Sequence, residues 1–120
     1  MAVRAIRGAI TLERDEREHL HERTQELVEA MLEGNAITSL DVISVYFTCT
    51  PDIVSDFPAA AARRMGFGSV PLMCAQEMAV PGALRMVVRV MMLTEMERPR
   101  DMVAHVYLHE AVSLRRDLAQ

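Results

Sequence analysis

The chain has 120 residues, of which 51% are hydrophobic and 25% charged, with a formal net charge of −4 and a pI near 5.5. This composition excludes a disordered chain, and an acidic balance with no Lys/Arg-rich block argues against a nucleic-acid partner. Two cysteines without a CxxC, Cys49 and Cys74, point to reduced thiols in the cytoplasm rather than a disulfide or a zinc site, and the opening MAVRAIRGAI is neither a signal peptide nor a membrane span.

Val3 to Leu12 reads as a first strand, with Gly8 marking a bulge or a close backbone approach. Asp15, with Glu18 three residues on, has the pattern of a helix N-cap and its capping-box partner. The helix it opens is expected to reach about Glu33 and stop at Gly34. Leu20, Leu27, Val28, Met31 and Leu32 form its apolar stripe. His19 and His21 lie two apart, so they are expected on different sides as solvated residues; helical ligands recur at three or four. Ile43 to Cys49 is β-branched and aromatic, a second strand, and Thr50-Pro-Asp turns the chain. Pro58 suits the first position of a helix, which should continue through an alanine run to Met65 and stop at Gly66. Phe57 then stands just outside the helix, where Ser, Thr, Asp or Asn is favoured, so its role is packing or contact with something else.

Val70 to Cys74 reads as a third strand, Ala75 to Gly82 as a loop, Leu84 to Thr94 as the longest strand and Ala104 to His109 as the last. Arg98-Pro-Arg-Asp is a turn, and Glu110 to Gln120 is expected to be a mobile tail. The order β, α, β, α, β, β, β predicts an α+β domain over residues 1–120, with helices on one face of a mixed sheet. At this size oligomerisation would bury more of the apolar surface.

Within RMVVRVMML (85–93), Arg89 stands among apolar residues. Two readings are open. It pairs with a carboxylate or reaches solvent at an edge, or it receives an anion, since a guanidinium matches a carboxylate with two parallel hydrogen bonds. Arg7 repeats the pattern in the first strand and favours a shared anionic ligand, although nothing in the sequence makes the two strands neighbours. Cys74 has no visible activating base and reads as a small buried filler, Glu77 as a loop carboxylate, and Tyr107, between His105 and His109, as a packed tyrosine with a bonded hydroxyl. No GxSxG, HExxH, P-loop or GxGxxG is present.

The segments VRAIRGAITLERD, TPDIVSDFPAAAAR, VPLMCAQEM, MVVRVMM and HVYLHEAVSLRRDL, in this order and over nearly the whole chain, resemble the monofunctional, trimeric, barrel-type chorismate mutases of bacteria. The resemblance implies an isomerase that converts chorismate to prephenate in phenylalanine and tyrosine biosynthesis, without a cofactor or metal. It implies a pseudo-α/β-barrel homotrimer with clefts between subunits, and no nucleic-acid or membrane partner. Carried over residue by residue, it makes Arg89 the cation at the ether oxygen and Glu77 the acceptor of the ring hydroxyl. Arg7 and Tyr107 would grip a carboxylate, Cys74 would lie beside Glu77, Phe57 would line the pocket and Arg63 its mouth. Leu114 and Arg115 would belong to a closing tail. Three positions depart from the family pattern: Ala60 where lysine is frequent, Met73 where a small hydroxyl residue is common at the substrate, and Arg116 where proline is frequent. Two other readings compete: a non-catalytic trimeric module for a small carboxylate, and an imine deaminase on a similar trimeric barrel.

Overall fold

A computed structural model describes residues 1–114. Five strands, β1 (Ala2–Thr11), β2 (Val42–Cys49), β3 (Leu72–Gln76), β4 (Val87–Met96) and β5 (Val106–Leu108), form one mixed sheet in the order β3-β2-β4-β1-β5. β4 runs antiparallel to both β1 and β2, whereas β3 pairs parallel with β2 and β5 parallel with β1. Two helices, α1 (Arg17–Gly34) and α2 (Pro58–Arg63), accompany it. The expected α+β class with a mixed sheet is therefore the observed one.

The alternation of each strand divides the sheet into two faces. Ile6, Ile10, Val88, Val90, Met92, Val45 and Phe47 point one way and are buried with Leu20, Leu27, Val28 and Met31 of α1. Gly8 belongs to this face, and a Cβ there would lie 2.5 Å from Met31 Sδ, so the glycine marks a close approach of α1. The irregularity in the sheet falls elsewhere, between Val42 and Ser44 of β2. On the opposite face, Val3, Tyr46, Met73 and Met91 are exposed at 58, 43, 60 and 39%, an apolar surface with no helix over it.

Several local expectations are corrected by contacts distant in sequence. Glu16, not Asp15, precedes α1, and its side chain makes no capping bond. The Asp15 carboxylate instead accepts the backbone N–H groups of Val54 and Ser55. α1 includes Gly34; the chain leaves it at Asn35 and the left-handed Ala36. Neither His19 nor His21 is solvated. Both are buried, His19 accepting the Glu13 N–H at 3.0 Å and His21 Nε2 lying 2.7 Å from Asp56 Oδ2. α2 ends at Arg63, and the following turn reaches Gly66, whose φ of +94° suits glycine.

β3 begins and ends two residues later than expected, because the Val70 N–H is taken up by Phe67 O in the preceding turn and the pairing with β2 extends to Gln76. β4 also begins later, at Val87. Its predecessor Met86 is left-handed, and the Asp52 carboxylate takes the Met86 N–H. β5 is only three residues long, since Asn35 binds both backbone groups of Ala104 before it and His109 turns left-handed after it. From His109 to Leu114 the expected tail is a 3-10 helix with Ala111 fully buried. Arg115, Arg116 and the rest of the tail lie outside the described residues.

Candidate active site

The sheet order makes the two arginine-bearing strands neighbours. In β1–β4 pairing Arg89 lies opposite Ala9, and in β1–β5 pairing Ala9 lies opposite Tyr107. Thr48 of β2 lies opposite Arg89 on its other side. Thr48, Arg89, Ala9 and Tyr107 thus form one row across four strands on the face without helices, and Arg7 stands two residues from Ala9 on that face. Glu77 follows β3 directly, its N–H donating to Cys49 O at 2.8 Å.

These side chains enclose a recess of about 230 Å³ lined by Arg7, Tyr46, Thr48, Glu77, Arg89 and Tyr107, among others. Arg89 Nε lies 3.3 Å from Glu77 Oε1, and the Thr48 hydroxyl donates to the same oxygen at 2.7 Å. Among the described residues, the Arg7 guanidinium and the Tyr107 hydroxyl make no hydrogen bond. The recess therefore holds two guanidinium groups against one carboxylate, a set suited to an anion. The Arg89 and Glu77 side chains are 44% and 29% exposed. An ion pair this open contributes about 0–1 kcal/mol, so a ligand can exchange with it at little cost.

Other sequence-predicted residues fall elsewhere in the same chain. Cys74 and Phe57 line a second recess of about 450 Å³ with Cys49, Asp56 and Pro58. Cys74 is three residues from Glu77, an odd offset that turns the two toward opposite faces, so Cys74 does not lie beside Glu77 in the Arg89 recess. Arg63 ends α2 and its charge acts on the Cys74 thiol. Ala60 lies on the same helix. Met73 stands on the open face, level with Tyr46 and Met91. Leu114 packs against the cluster of Ala9, Val87, Tyr107 and Ala111, so the end of the described chain abuts the arginine recess.

The electrostatics of the second recess argue against a thiolate nucleophile. Burial pushes the Cys49 thiol up to about 12, and burial also raises the Cys74 thiol, with the Arg63 charge opposing it only in part. Both therefore stay protonated at neutral pH. Asp56 shapes the wall. The backbone N–H of Phe57, 2.7 Å from Oδ1, and the His21 ring hold its carboxyl below the ordinary carboxylate value. Arg17 adds an ion pair at 3.2 Å. The residue that positions Phe57 is thus itself tied to α1. Among the described residues no group of His, Cys, Asp or Glu is arranged to hold a metal ion, and no helix is long and apolar enough to cross a membrane.

Sequence reasoning passed over Thr48, Tyr46 and Met91. A hydroxyl or an apolar group on an open strand face carries no signal until the register places it beside a charge.

Residues 3–118 match the family described as chorismate mutase type I. The chain belongs to that family. Chorismate mutase AroH of Thermus thermophilus is 52% identical over 117 residues, covering 97% of this chain and 96% of that protein. Chorismate mutase AroH of Bacillus subtilis strain 168 is 42% identical over 120 residues, covering 99% and 94%. A solved chorismate mutase from Clostridium thermocellum superposes with a TM-score of 0.89 at 41% identity, covering 91% of this chain and 97% of that one. In this chorismate mutase family member, the arginine recess brings together Arg7, Arg89, Glu77 and Tyr107.

Proposed function

We propose that this protein is a chorismate mutase, an isomerase converting chorismate to prephenate in the cytoplasm on the route to aromatic amino acids. The observation that carries the reading is the meeting of two guanidinium groups, Arg7 and Arg89, with Glu77 and Tyr107 in one recess. A concerted [3,3] rearrangement needs that inventory. One carbon–oxygen bond breaks as one carbon–carbon bond forms, and no proton or electron leaves the substrate. The work of the protein is to hold the compact conformer in which the reacting carbons meet and to stabilise the charge gathering on the ether oxygen.

In this mechanism Arg7 and Tyr107 bind a substrate carboxylate, and Glu77 accepts a hydrogen bond from the ring hydroxyl. Arg89 leaves its solvent-exposed pairing with Glu77 and donates to the ether oxygen and a carboxylate. Phe57, Arg63 and Cys74 form a second wall, Met73 lies on the open face beside Tyr46, and Leu114 packs near Tyr107. In one chain the two walls are separate recesses. We therefore propose a homotrimer in which one subunit's Arg89 recess faces its neighbour's Phe57–Cys74 recess. The exposed apolar sheet face supports this, since a contiguous patch of that kind marks an interaction surface.

Loss of chorismate absorbance in the ultraviolet on adding purified protein tests the activity; no loss ends the proposal. Mixed assemblies test the shared site. Arg89→Ala and Arg63→Ala chains, each impaired alone, should regain activity when refolded together, because some clefts then combine two intact walls. No gain on mixing would place each site within a single chain.

A further inference from the structure

Glu77 is held in an asymmetric way. Oε1 takes both the Thr48 hydroxyl at 2.7 Å and Arg89 Nε at 3.3 Å, whereas Oε2 has no partner among the described residues. Its backbone is anchored by the N–H donating to Cys49 O. Of the two side-chain contacts, only one survives the chemistry. If Arg89 turns to the substrate, the ion pair is given up, and the Thr48 hydroxyl alone keeps Glu77 oriented. Thr48 can do this because the register sets it directly opposite Arg89 in β2–β4 pairing and one strand from the end of β3. A hydrogen bond from a hydroxyl to a carboxylate is short and charge-assisted, which fits the observed separation.

We infer that Thr48 is a positioning residue: its hydroxyl fixes Glu77 through Oε1 so that Oε2 is presented to the substrate's hydroxyl after Arg89 has moved away. This rests on the mutase reading of the recess. Thr48 itself touches no reacting atom. It acts through Glu77, so its loss reduces turnover more than it weakens capture of the dianion by the arginines.

The test compares Thr48→Val, which keeps the branched shape and removes the hydroxyl, with Thr48→Ser, which keeps the hydroxyl. In Thr48→Val, kcat should fall about tenfold, the scale of one lost hydrogen bond to a charged group, with KM changing less than about twofold and the melting temperature unmoved. Thr48→Ser should recover most of the lost kcat. Wild-type turnover in Thr48→Val, or equal loss in both variants, overturns the inference. A crystal structure of Thr48→Val supplies a readout that needs no turnover. The Glu77 carboxylate should rotate away from its wild-type orientation, and an unchanged orientation also overturns the inference. Wild-type protein that leaves chorismate intact would remove the mutase reading, while the crystal structures would still decide whether Thr48 orients Glu77.

Discussion

Arg89 and Tyr107 share a partner: Ala9 pairs with Arg89 on the antiparallel side of β1 and with Tyr107 on its parallel side. The small side chain between them leaves both functional groups standing above it, and the strand spacing of about 4.8 Å places them roughly 10 Å apart at the backbone. This is the span of a small dicarboxylate with its two contact groups, not of a single bond. Their backbone separation follows from the pairing of β1 with β4 and with β5.

Replacing Arg89 should be severe whether or not charge is retained. A lysine presents a point charge, whereas the proposed contacts use the planar fork. Arg89→Lys and Arg89→Ala should both lower kcat on the order of 10²–10³, the usual cost of removing one preorganised donor. Steady-state kinetics on chorismate check this, and wild-type turnover in Arg89→Lys would remove the assigned role.

Acid should weaken the protein through His19. Burial, aided by the charges of Arg23 and Arg14, lowers its pKa from the ordinary 6.5, and its Nε2 must be unprotonated to accept the Glu13 N–H. Below pH 6.5 the unfolded chain binds a proton there that the folded chain does not. The stabilisation is present above that pH, declines as pH falls toward the folded-state value, and changes no further below it. Melting temperatures between pH 7 and 5 should show the decline. His19→Gln, whose amide oxygen can accept the same N–H, should have a shallower slope; an equal slope would assign the acid sensitivity to other groups.

Filling the space over Gly8 should destabilise the protein. An added methyl meets Met31 Sδ at 2.5 Å and Leu27 Cδ1 at 3.1 Å. Gly8→Ala should cost about 1–3 kcal/mol, the usual scale of overpacking, measured by urea unfolding. Shortening Met31 in the Gly8→Ala background should cost less than in wild type, because each change relieves the other. Additive costs would show that α1 shifts instead.

The strands and helices were readable because their periodicity and breakers are local: Pro58, the alanine run and Gly66 each act within a few residues. The misread features all depend on distant partners. Asp15 resembles a helix cap but binds residues near position 54, and His21 looks solvated until Asp56 is brought over it. The early start expected for β4 ignored Asp52, a carboxylate on the distant loop after β2. For the site, strand arginines stood out because charge in an apolar run is costly. Their adjacency could not be read, since it depends on β1 and β4 pairing across nearly the whole chain. The separation of Cys74 from Glu77 followed from strand alternation only once β3 was seen to extend to Gln76.

Asn35 has a reach that its position would not suggest. Its amide group caps α1 through Met31 O and grips both backbone groups of Ala104, three residues before Tyr107. The strand delivering that tyrosine is too short to hold itself by its own ladder, so the far end of α1 works as a bracket for a phenol on the other side of the sheet. A disturbance at that helix terminus would misplace a ligand-facing group without touching the recess, giving an enzyme that is folded but misaligned.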